Sequence, residues 1–142
     1  MKTYVAKPGE IKHNWYVVDA EGQTLGRLAS RVAQIIRGKH RPDFSPHMDM
    51  GDHVIIVNAD KISVSGDKRD QKTYTRYSGY QSGLKSTTLA TMLEKKPEAV
   101  LTHAVRGMLP KNRLGRKLIK KLRVYTGAGH PHVGQSPQVL EF

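Results

Sequence analysis

Apolar residues along this chain gather into short runs and helical stripes separated by long polar intervals. Trp15-Tyr16-Val17-Val18-Asp19-Ala20 is nearly continuous in its apolar character, which predicts a largely buried strand. The turn Glu21-Gly22-Gln23 follows. Leu25, Leu28, Ala29, Val32, Ile35 and Ile36 then recur at helical spacing, with Thr24 as a candidate N-cap and Gly38 as a candidate terminator. Val54-Ile55-Ile56-Val57 predicts a second buried strand. Asn58 to Lys61 is a short connection, and Ile62 and Val64 alternate with serines as a third short strand. Strand, helix, strand in that order predicts a βαβ unit, a parallel sheet and a right-handed crossover.

The rest of the chain is more polar. Residues 1–14 read as an arm without periodicity, and residues 39–52 as a loop punctuated by Pro42, Pro46 and Gly51. Residues 66–87 read as a long polar loop or irregular excursion, a length usually reserved for functional or disordered segments. Thr88 to Lys96 and Glu98 to Gly107 are two helix candidates divided by Pro97. Asn112 can cap a last helix reaching about Leu122, with Val124 and Tyr125 in a final strand segment. From 126 to 142 glycines and prolines predict an extended tail lying on some other surface. The whole, 1–142, fits one α/β domain with a modest core.

Charge changes the picture most. The formal net charge is +12, and the isoelectric point is near 10.1. Ala99 to Leu140 contains no acidic residue, yet it carries Arg106, Lys111, Arg113, Arg116, Lys117, Lys120, Lys121 and Arg123. At about 100° per residue, Leu114, Leu118, Ile119 and Leu122 fall on one arc of the last helix. Arg113, Arg116, Lys117, Lys120 and Lys121 fall on the opposite one. A solvated helix face usually alternates signs, whereas here the i,i+4 pairs are alike, at a few tenths of a kcal/mol each, roughly. A polyanion that supplies the missing charge explains this better than solvation alone.

Two further patches point the same way. Arg37, Lys39, His40 and Arg41 cluster at the end of the first helix, together with Arg27 on its polar face; cations there also suit the helix dipole. In the 66–87 segment, Tyr74, Tyr77 and Tyr80 are interleaved with Arg76 and flanked by Lys68, Arg69, Lys72 and Lys85. Aromatic rings stack on unpaired bases, and arginine pairs with phosphate, so this segment is a candidate for RNA contact. His130 and His132 add partial cations and donors.

Enzyme readings find little footing. Gly22 and Gly26 do not make G-x-G-x-x-G, and no phosphate loop is present. His47, Asp49, Asp52 and His53 sit in a Pro/Gly loop without ligand spacing, so no metal, cofactor or catalytic set is assigned. A basic cleft acting on a nucleotide or phosphorylated substrate is the alternative. A membrane surface is a weaker one, because the last helix needs its leucines for the core. The absence of cysteine and of an apolar leader suits a cytoplasmic protein.

The most specific feature is Val105-Arg106-Gly107-Met108-Leu109-Pro110, then Gly115-Arg116, then Leu122-Arg123-Val124-Tyr125-Thr126-Gly127. With Trp15, Asp19-Ala20, Thr24 to Ala29, Arg37 to His40, Gly51-Asp52, Asn58 to Lys61 and His130 to His132, these residues resemble the bacterial form of a ribosomal family, the thirteenth protein of the large subunit. The resemblance runs nearly end to end. It departs at Asn112-Arg113, where many relatives have Gly-Pro. It implies a three-layer α/β/α domain with a four-stranded, mainly parallel sheet. It also implies a non-catalytic constituent of the large subunit that joins early in assembly. The implied partners are large-subunit ribosomal RNA and neighbouring ribosomal proteins, without a cofactor, a membrane or homo-oligomers.

Overall fold

The computed structural model describes residues 2–142. Its centre is a four-stranded sheet of β1 (Trp15–Asp19), β2 (His53–Val57), β5 (Leu122–Val124) and β6 (Gln138–Val139). The order is β5-β2-β1-β6, and every pairing is parallel. The helices are α1 (Leu25–Arg37), α2 (Lys68–Gln71), α3 (Leu89–Lys95), α4 (Pro97–Met108) and α5 (Arg113–Leu118). Between β1 and β2, helix α1 covers one face of the sheet and carries the chain back to the end where β1 began, so the two strands run parallel. This single α/β domain is the architecture expected of a three-layer α/β/α protein.

One core joins the sheet to the helices. Val18, Val54, Ile56 and Leu122 meet Leu28, Val32 and Ile36 of α1, Val100, Leu101 and Val105 of α4, and Leu118 of α5. Each fully buried leucine or isoleucine contributes on the order of 1.5–3 kcal/mol relative to exposure. Helix α1 ends where Gly38 takes the left-handed conformation, φ 90°, and returns its N–H to Gln34 and Ile35. A side chain there would meet the Met50 carbonyl carbon at 2.9 Å, because the 39–52 loop crosses directly over the helix end. At Gly51 a Cβ would lie 1.6 Å from the Ile36 oxygen, so that crossing requires glycine.

Four expectations need correction. Residues 66–87 are ordered as α2 followed by an antiparallel hairpin, β3 (Thr73–Tyr77) with β4 (Leu84–Thr88). The hairpin is polar on both faces, so no alternation of apolar residues announces it. Ile62 and Val64 build no strand; only Ser63 bridges Thr24. The last helix stops at Leu118, Ile119–Lys121 is a 3-10 turn, and Leu122 already lies in β5. Finally, the tail does not merely lie on another surface. Val133–Gln135 is a 3-10 turn, and β6 completes the sheet beside β1.

Candidate nucleic-acid interface

Two grooves meet on the side of the domain where the hairpin packs. The larger, about 1210 Å³, lies between the hairpin, α3 and α4. Arg76, Lys85, Lys95, Lys96 and Arg106 line it against a single acid, Glu98, among threonine and serine hydroxyls. The smaller, about 620 Å³, lies between the start of α1, α2 and the end of α4, and is lined by Arg27, Lys68 and Lys72 without an acid. His103 borders both grooves. Its ring meets Tyr74 edge-on at 5.2 Å, and the Lys72 ammonium stands 5.5 Å from the Tyr74 ring centre. Burial pushes the Tyr74 phenol above its ordinary value, so it stays neutral.

The charge in these grooves is unbalanced by construction. Arg76 stands directly opposite Lys85 across the hairpin. Like charges at that position destabilise a sheet pair, by roughly 0.2–1 kcal/mol. The four ion pairs among the described residues join His40 to Asp52, Arg41 to Asp43, Lys61 to Glu21 and Lys121 to Asp49. None of them uses a groove cation. Beyond the groove, exposed Tyr77 and Tyr80 (64% and 79%) stand at the hairpin tip.

Helix α5 presents the second free face. The Asn112 side chain accepts a hydrogen bond from the Gly115 N–H at 2.9 Å and so starts the helix. Leu118 is buried, while Lys111, Arg113, Arg116, Lys117 and Lys120 are exposed, as is Arg123 on β5. Within α5 only Arg113 and Lys117 form a like-charged i,i+4 pair; the other expected pairs run into the 3-10 turn.

That turn redirects Lys121. Only 6% exposed, it does not join the cationic face. Its ammonium donates to Asp49 and, at 2.7 Å, to the Gly51 carbonyl. His13 Nδ1 also lies 2.6 Å from that carbonyl and donates to it, so the ammonium 3.3 Å away is its neighbour rather than its partner. Lys121 thereby ties the turn before β5 to the 39–52 loop, and His13 of the N-terminal arm joins them at the same carbonyl.

The Arg37–Arg41 corner also turns inward. Arg37 donates to the Pro46 carbonyl at 3.2 Å and lies over Phe44. Arg41 pairs with Asp43 and donates to the Lys12 carbonyl at 2.8 Å. His40 Nε2 is 2.8 Å from the carboxylate of Asp52, which is 1% exposed and also accepts from the Asn14 N–H. Of this patch Lys39 alone is exposed and without such a contact among the described residues. His130 and His132 are tail fasteners. His132 is 2.6 Å from the Tyr125 hydroxyl and stacks on Trp15 at 5.3 Å, and its N–H donates to His130 Nδ1. Arg69 is exposed on α2 outside both grooves.

The structure therefore brings Arg27, Lys68, Lys72, Arg76, Lys85 and Arg106 together, and adds Lys95, Lys96 and His103, which no local pattern marked. Their meeting depends on how the hairpin docks on α3 and α4. The other groups with shifted titration lie elsewhere. Asn58 and the Glu21 N–H hold Asp19 low. The Arg41 guanidinium holds Asp43 low. Burial, then the nearby Lys121 charge, holds His53 low. Among the described residues no three His, Cys, Asp or Glu side chains gather as a metal site, and no helix is long and apolar enough to cross a membrane.

A small parallel-sheet domain with free cations in two grooves and along one helix belongs to the basic α/β proteins. Sequence comparison specifies which. The chain belongs to the ribosomal protein L13 family, whose pattern it matches over residues 13–131. It is 62% identical to a protein of Chlorobium phaeobacteroides, covering 96% of this chain and 91% of the relative. It is 58% identical to one of Maridesulfovibrio salexigens over the full length of both, and 58% identical to one of Lawsonia intracellularis over 96% and 95%. Each of these relatives is named large ribosomal subunit protein uL13, a ribosomal constituent and not an enzyme.

Proposed function

We propose that this protein is a structural constituent of the large ribosomal subunit that binds ribosomal RNA, contacts neighbouring ribosomal proteins and takes part in early subunit assembly in the cytoplasm. The observation that carries this is the set of exposed cations, in the two grooves and on α5, without ion-pair partners among the described residues. Each fits a phosphate, and releasing the counterions of folded RNA drives the association. Lys111, Arg113, Arg116, Lys117, Lys120 and Arg123 form one cationic arm against the RNA, the groove cations form the other, and Lys39 adds a charge at the end of α1. Lys121, His40, Arg41 and Arg37 serve as internal struts that hold these arms in place.

Recognition on the α5 side is of shape and backbone, since side chains do not read the deep groove of A-form RNA. Sedimentation of the endogenous protein through a sucrose gradient tests the assignment. Co-migration with large subunits and their precursors, at about one copy each, is expected for a stoichiometric constituent. A protein that stays at the top of the gradient overturns it.

A further inference from the structure

We infer that the two grooves form one continuous track for an unpaired strand of RNA, with bases splayed onto Tyr77 and Tyr80 at the hairpin tip. This inference rests on the RNA-binding reading above and goes further by naming the kind of RNA. Three independent features carry it.

The first is shape. The cations lie inside concave troughs walled by the hairpin on one side and by α3 and α4 on another. Double-stranded RNA is met across its wide, shallow minor groove, by elements that lie on or protrude into it. A trough instead admits a single backbone. His103 and Tyr74 sit where the two troughs meet, so one strand can run from Arg27 past Lys72 to Arg76 and Lys85.

The second is the glycines of the smaller groove. Gly26 of α1 and Gly107 of α4 both line it, and a Cβ at either would meet nothing within 4 Å. The fold does not need glycine at these helical positions, and glycine is a poor helix former. The open space leaves the backbone of both helices accessible to a ligand that approaches closely. The contrast with Gly51 and Gly115, where a Cβ would strike the chain's own carbonyls at 1.6 and 1.7 Å, is direct.

The third is the hairpin tip. Tyr77 opposes Leu84 in register on the hairpin face opposite the Arg76–Lys85 pair, Tyr80 lies in the turn, and all three are exposed, so a strand leaving the groove meets these rings as it rounds the tip. Aromatic rings beside a cationic channel are the general arrangement for stacking successive unpaired bases. Paired bases offer no free face there.

The test places a photo-crosslinking amino acid at Tyr80 in one variant and at Met108, which lines the smaller groove, in another. Each is assembled into large-subunit particles with ribosomal RNA and the other subunit proteins. Crosslinks from both positions to unpaired nucleotides of one strand are expected. Crosslinks to base-paired nucleotides, or from Tyr80 to another protein, overturn the track while leaving RNA binding intact. Failure of the unmodified protein to enter the particles sinks the RNA-binding reading itself. In parallel, the double variant G26A/G107A should melt no lower than the parent, yet associate with the RNA about tenfold more weakly, as expected when close backbone approach is blocked. Unchanged association would overturn the close approach.

Discussion

Lys121 shows how a residue that reads as part of a cationic face can serve as an internal strut instead. Its ammonium satisfies Asp49 and the Gly51 carbonyl beneath the surface. Lys121→Ala leaves that carbonyl to His13 alone and a third-exposed carboxylate without its partner, so it should cost about 1–3 kcal/mol in urea unfolding. Lys117→Ala removes an exposed cation instead. It should leave stability within about 0.5 kcal/mol and flatten the salt dependence of RNA binding by about 0.7–0.9 in slope. The sequence could not separate these two lysines, because both sit in one basic run and the distinction arises only where α5 tightens into a 3-10 turn. Protonation is also decided residue by residue. His53 is held below its ordinary value of 6.5 by burial and by Lys121. The unfolded chain thus takes up a proton more readily, and the stability due to neutral His53 is complete above pH 6.5 and lost as pH falls below it. Asp19, held below 3.8, loses its contribution in the same direction but at lower pH. Thermal melting across pH 4.5 to 7.5, roughly the window around an ordinary histidine, should show a smaller acid loss in His53→Gln than in the parent.

At the scale of elements, legibility followed the presence of an apolar face. Helix α1 was readable because seven of its residues are buried at helical spacing, and its end because Gly38 is left-handed. Strands β1 and β2 were readable as apolar runs. The hairpin was not, since Thr73 to Tyr77 and Leu84 to Thr88 are mostly exposed on both faces. Strand β6 was hidden for the same reason: two exposed residues gain their place from hydrogen bonding to β1, not from burial. Most cations of the candidate interface were therefore visible as charge, and their assembly into grooves was not. Helix α5 is only six residues long, so its start matters. Asn112→Ala should cost about 1 kcal/mol through the lost N-cap. Gly115→Ala should cost more, because its Cβ would press on the Pro110 oxygen at 1.7 Å and force the 109–113 turn to move. Calorimetric melting of the two variants checks that order.

At the scale of the molecule, the parallel sheet holds two cationic arms, the grooves and α5, while the internal ion pairs of the 39–52 loop stiffen the frame between them. A net charge of +12 weakens the isolated protein by self-repulsion and favours the complex by the same amount of unneutralised charge. These cations are placed to meet phosphates, so binding must weaken as salt rises. The most direct measurement is the affinity for large-subunit RNA, with any required partner proteins present, across a range of salt concentrations. Engagement of about eight phosphates predicts that log K falls against log salt with a slope on the order of −6 to −7. A slope near zero would contradict the account, because binding would then owe nothing to the charge the fold leaves unpaired.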